Sequence, residues 1–128
     1  DQIRQQFIFM ASSALNRTGN TPTRTAAEEA LSHLDTLENF VDADSDVLYY
    51  RAEANKALGN LEEAVALADQ ALEMHRGSNT DKAKIYFVKG EALMQSGDIP
   101  AAKAAFQNAT YGSYRAPAQH YIETLGTN

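Results

Sequence analysis

Asp42, Asp44 and Asp46 alternate along the chain, and Glu53 lies eleven residues after Asp42. That is the oxygen-ligand spacing of a twelve-residue calcium loop. Such a loop also needs Gly at its sixth position for a sharp turn, and Val47 stands there. A helical pattern running through Glu53 keeps the loop from closing. Asp44, Ser45 and Asp46 read better as the cap of a helix. There, short polar side chains accept amide hydrogens and negative charge meets the positive end of the dipole.

The other reactive side chains are scattered. His33, His75 and His120 fall in three separate helical patterns, with no second His at i+4 and no cysteine in the chain. They form no metal signature. His75 sits in a last helical turn, where partial positive charge suits the dipole. Glu28-Glu29 and Glu62-Glu63 are adjacent pairs whose members point in different directions, so they read as first-turn charges rather than an acid/base couple. Ser113 follows Gly112, but nothing around it resembles a nucleophile elbow, and there is no Gly-rich phosphate loop. No catalytic set, no metal site and no cofactor are expected, and the chain does not read as an enzyme by itself.

Charge narrows the partners. The 128 residues carry a net charge of −6. All of that excess falls in the first 64 residues, and seven acids with no Lys or Arg run from Glu28 to Asp46. Nucleic acid is therefore disfavoured, because phosphate binding needs a basic footprint. The lack of cysteine excludes disulfides and thiolate sites, and leaves both a cytoplasmic and a bacterial periplasmic location open. The longest apolar run, Phe7 to Ala11, is too short to span a bilayer. The chain opens on Asp1 rather than Met and shows no signal peptide, which fits a processed product or a piece of something longer.

The elements that must position these residues are helices. Ala is abundant, Gly and Pro are few, and no alternating β-branched runs appear. Ile3 to Asn16 has a wide apolar face, and Asn16 to Thr25 is a loop broken by Gly19 and Pro22. Thr25, boxed with Glu28, opens a helix striped by Ala27, Ala30, Leu31, Leu34, Leu37 and Val41. Leu48 to Met74 is a helical pair around Gly59 and Asn60, with Asn60 and Glu63 as a second capping box. Gly77 is placed as a left-handed cap, with Asn79 or Thr80 capping a helix from Asp81 to Ser96. Gly97 and Asp98 turn the chain, and Pro100 sits in the first turn of a helix that Gly112 and Ser113 end. Pro117 opens a last helix from Ala116 to Leu125, with Tyr121, Ile122 and Leu125 on one side.

The turns at Gly59-Asn60 and Gly97-Asp98 are 38 residues apart. At that spacing Tyr50-Arg51-Ala52-Glu53-Ala54 falls on Val88-Lys89-Gly90-Glu91-Ala92, and Ala71 on Ala109. A helix–turn–helix period of this size marks a helical solenoid. The residues Ala52, Gly59, Ala64, Ala68 and Ala71, and again Gly90, Gly97, Ala102, Phe106 and Ala109, resemble the tetratricopeptide repeat (TPR) family. That family has a small residue midway along the first helix, Gly at the turn, and small or aromatic residues along the second. The period here exceeds the family's by four residues, which the Gly77–Asp81 loop accommodates, and the family's Pro after the second helix is missing. The first hairpin fits as a degenerate repeat, with Asn16–Thr25 as an insertion.

The resemblance implies an all-α, right-handed solenoid of three helix–turn–helix repeats plus a C-terminal capping helix. The expected bounds are 3–41, 45–77 and 81–112, with the cap at 115–125, all one domain. It implies a non-catalytic module that binds a peptide or helix of another protein in its concave groove, lined by the first helix of each repeat. Carried across by register, the groove rows are Phe9, Tyr49 and Phe87; Ser13, Glu53 and Glu91; and Asn16, Lys56 and Met94. Exposed rings there would anchor the partner, so replacing Tyr49 and Phe87 by Ala is expected to spare stability and weaken binding. The competing expectation is that the rings pack against the neighbouring repeat. The subclass that clamps a chaperone's C-terminal carboxylate is disfavoured, because its positions hold Phe9, Ser13, Tyr50, Lys84 and Val88, and only Lys84 fits. Competing readings are self-assembly, with Tyr111, Tyr114 and Tyr121 clustered near the C-terminal end, and a regulatory or targeting domain of a larger enzyme or envelope protein.

Overall fold

The computed structural model describes residues 2–17, 22–75 and 77–125, and Gly19 lies outside them. The described residues form seven α-helices and one short 3₁₀ turn, and no strand. The first hairpin is α1 (Gln2–Asn16) with α2 (Arg24–Glu38), and the second is α3 (Ser45–Ala57) with α4 (Leu61–Met74). The third is α5 (Asn79–Ser96) with α6 (Ile99–Gln107); the 3₁₀ turn Gly112–Tyr114 then leads into α7 (Arg115–Thr124).

Local chemistry sets the helix starts, and several caps differ from expectation. Thr23, not Thr25, caps α2, its Oγ1 accepting from the Ala26 amide at 3.1 Å. Asp44 caps α3 through the Val47 amide at 3.1 Å, and Asp98 caps α6 through the Ala101 amide at 3.3 Å. Ser78 caps α5, so the helix begins at Asn79. Asn60 makes no side-chain cap. Its amide donates to Asn55 O at 2.8 Å, and its side chain turns back to donate to Asn55 Oδ1 at 3.2 Å.

Gly59 (φ +84°) and Gly97 (φ +93°) are left-handed, and each closes the first helix of its hairpin. Gly97 N–H donates to Met94 O and Asp98 N–H to Leu93 O, which satisfies carbonyls the helix end leaves open. Gly77 has no positive φ: α4 ends at Met74 with an extended His75, and the Ser45 hydroxyl donates to Ala71 O at 3.2 Å. The helix of the third hairpin also stops at Gln107, well short of Gly112.

The core is built stepwise. The first cluster joins Ala11, Ala14 and Leu15 of α1 to Ala27, Ala30, Leu34 and Leu37 of α2, and takes in Val47 and Ala54 of α3. The second joins α3 and α4 and takes in Ile85 and Val88 of α5. The third packs Phe106 and Ala102 with Ala118, Tyr121 and Ile122 of α7. Each hairpin thus covers its apolar face with the element that follows, the nearest-neighbour build of a helical solenoid. Small residues permit the close approaches. Ala52 and Gly90 hold equivalent buried places, and a Cβ on Gly90 would lie 2.7 Å from the fully buried Phe106 ring.

Ion pairs repeat with the hairpins. Arg51 of α3 reaches back to Asp35 at 2.7 Å and to Glu38 on α2. Lys89, at the equivalent place on α5, reaches back to Asp69 on α4 at 2.7 Å.

Candidate functional site

The first helices α1, α3 and α5 lie side by side, α3 against both others. Their polar side chains meet across the helix boundaries in two groups. Near the helix starts, Arg4 of α1 donates to Asp44 at 2.5 Å and to Asp46 at 2.7 Å. Lys84 of α5 stands 3.7 Å from Asp46, with its Nζ 4.8 Å from the centre of the Tyr49 ring. One helical stretch further on, Lys56 of α3 sits 2.5 Å from Glu91 on α5 and 3.8 Å from Glu53.

These charges are half-buried, and the burial is written in their protonation. Burial raises the Glu53 pKa; Lys56 opposes that, and Glu91 adds to it. Burial pushes Lys56 down, yet its two carboxylates outweigh this and hold it above its ordinary value. Burial also raises Asp44, but the guanidinium of Arg4 and the Val47 amide outweigh it and hold Asp44 below its ordinary 3.8. The Tyr49 hydroxyl is raised strongly, first by burial and then by the charge of Glu53.

Of the nine residues expected to line a groove, Glu53, Lys56 and Glu91 come together in one ionic group. Tyr49 is buried at 8% exposure, under Lys84 and edge-on to Tyr50. Phe87 is half-buried, its ring centre 5.4 Å from Phe106, 5.3 Å from Tyr114 and 6.0 Å from Tyr121. Met94 packs on the third core cluster. The rings of the second and third repeats are therefore packed against neighbours rather than standing free.

Phe9, at 70% exposure, and the exposed Ser13 and Asn16 differ from this set. In α1 the buried residues are Ala11, Ala14 and Leu15, with Ile8 packed on the core. Ser12, which the expected register aligns with Ala52 and Gly90, is only half-buried, whereas Ala11 beside it is fully buried. A slip of one residue turns a helical row by about 100°, which puts Phe9, Ser13 and Asn16 on the outer flank of α1. The connection between α1 and α2 is longer than the turns at Gly59 and Gly97, so a tight turn does not fix the register of α1.

Arg4, Asp44, Asp46, Lys84, Tyr114 and Tyr121 belong to this face and were not among the nine. The 38-residue spacing carries the signal for one pair, since it places Lys84 opposite Asp46. The C-terminal tyrosines also read differently from expectation. Tyr114 and Tyr121 turn inward, Tyr121 stacking on Phe106 at 4.7 Å, and only Tyr111 of the three is exposed. Among the described residues no group of three or more His, Asp or Glu is placed to hold a metal ion. No described helix is long and apolar enough to cross a membrane.

No curated protein and no solved structure matches the chain. A model of the tetratricopeptide-repeat family matches residues 83–111, which span most of α5, the Gly97 turn and α6. Tetratricopeptide repeats are in general protein-interaction modules, typically without catalysis of their own. Residues 83–111 are thus similar to a tetratricopeptide repeat, and they sit in an all-helical, TPR-like array whose preceding hairpins share the helix–turn–helix build.

Proposed function

We propose that the three hairpins and α7 act as one non-catalytic module, and that the face formed by α1, α3 and α5 holds a peptide or helical segment of another protein. One observation carries this reading. The solenoid closes its cores with Ala, Leu, Val, Ile and Phe, yet between α3 and α5 it keeps a half-buried charged group, Glu53, Lys56 and Glu91. Half-buried charge costs desolvation and is weak support for stability. Beside rings, it is a recognition surface.

The face is already occupied in one respect. Lys84, the one residue that fits the chaperone clamp, is engaged by Asp46 and by the Tyr49 ring, which argues against capture of a C-terminal carboxylate there.

Site-specific photo-crosslinking tests the proposal. A benzophenone side chain placed at Ser12 or Met94 should join the chain to the same partner polypeptide, and one placed at Gln70 or Gln107 on the second helices should not. Adducts formed equally from the second helices would overturn the reading. An adduct with the mass of two copies of this chain would replace it with self-assembly.

A further inference from the structure

We propose that the segment accepted by this face is basic, and that an arginine side chain of the partner docks against the carboxylates of Glu53 and Glu91, alongside Lys56. This rests on the groove reading above and names the chemistry of its ligand.

Charge complementarity points to such a ligand. Near the helix starts, Arg4 and Lys84 meet Asp44 and Asp46, and the charges cancel. Further on, a single ammonium, that of Lys56, lies between two carboxylates, 2.5 Å from Glu91 and 3.8 Å from Glu53. One negative charge is left over, on side chains that are 21% and 24% exposed. They are reachable from outside, yet dry enough for charge contacts to exceed those of open surface. A carboxylate brought by a partner would find each of the three cations already facing carboxylates.

A guanidinium suits the place better than an ammonium. It is planar, less strongly hydrated, and can serve two carboxylates while lying against a ring. Rings lie close by: the Tyr49 hydroxyl senses the charge of Glu53, and the half-buried Tyr121 lies within electrostatic reach of Lys56. The face already holds one cation in this manner, with Lys84 over Tyr49 beside Asp46.

The test titrates N-acetyl-arginine amide, and separately N-acetyl-glutamate amide, into the full ¹⁵N-labelled chain at about 0.15 M salt, where long-range attraction is screened. The arginine probe should give saturable amide shifts around Glu53, Glu91 and Tyr121, and the glutamate probe should not. Glu53→Gln and Glu91→Gln should each weaken arginine binding by about tenfold. Two variants are used so that either suffices if the other fails to fold. Shifts spread over the acidic Asp35–Asp46 surface, equal response to both probes, or affinity unchanged in a folded variant would overturn the proposal. If crosslinks map to the face and yet arginine shows no preference, this inference fails alone. If crosslinks map to the second helices, the groove reading fails.

Discussion

A tyrosine on the first helix of a repeat can serve a partner or the neighbouring repeat, and burial decides between them. Tyr49 lies beneath Lys84, and Phe87 lies among Phe106, Tyr114 and Tyr121. Tyr49→Ala and Phe87→Ala should therefore each lower stability, by about 2–4 kcal/mol in urea denaturation. This reverses the expectation that their removal spares the fold. A mutant cycle should show coupling, because the Tyr49 hydroxyl and the Phe87 ring both interact with Tyr114. Protonation gives a second test at this scale. The folded pKa of Glu53 is raised, so the folded state binds more protons, and stability falls as pH rises from the ordinary 4.5 through the raised value. Asp44 is depressed, so its contribution is present above its ordinary 3.8 and is lost as pH falls through the lower folded value. Melting curves of Glu53→Gln should show a smaller loss of stability above pH 4.5. Those of Asp44→Asn should start less stable at neutral pH, by about 1 kcal/mol, and lose less on acidification.

At the scale of the element, the hairpins of the second and third repeats were legible because their determinants are local. A turn glycine, a small residue midway and an apolar stripe recur 38 residues apart. Caps were less legible, because Thr23 competes with Thr25, and Ser78 with Asn79 and Thr80, as equally good acceptors within a few residues. Asn60 forgoes its cap because its side chain turns back to Asn55 in the helix before it, a choice that residue type alone does not fix. The α1 register shows the same limit. With a longer connection between α1 and α2, burial against α2 and α3 fixes which residues face inward. Close packing yields a sharp prediction here. Gly90→Ala should gain helix propensity of about 1 kcal/mol, yet destabilise overall by about 1–3 kcal/mol, because its Cβ meets Phe106 at 2.7 Å. Adding Phe106→Leu should recover part of the loss in thermal melts; full tolerance of Gly90→Ala alone would show that α5 and α6 are less tightly set.

The whole molecule is a series of hairpins, each finished by the next and the last by α7. Its polar groups divide accordingly. Arg51 and Lys89 tie each first helix to the second helix before it. Arg4, Asp46, Lys84, Lys56 and Glu91 tie the first helices to one another across the face proposed to bind. Composition foretold the all-helical class, and the repeat foretold the solenoid. The ionic group between Glu53 and Glu91 was legible only as two separate rows, because its centre, Lys56, sits one turn away from the residues it joins. The central claim is that this face, and not the outer one, holds the partner. The segment that crosslinking identifies, made as a peptide, allows a direct measurement by titration calorimetry. Glu91→Gln and Met94→Ala should weaken binding by about 1–2 kcal/mol each, while Gln70→Ala and Gln107→Ala on the second helices leave it unchanged. Equal affinity for all four variants, or a loss confined to Gln70→Ala and Gln107→Ala, would contradict the account.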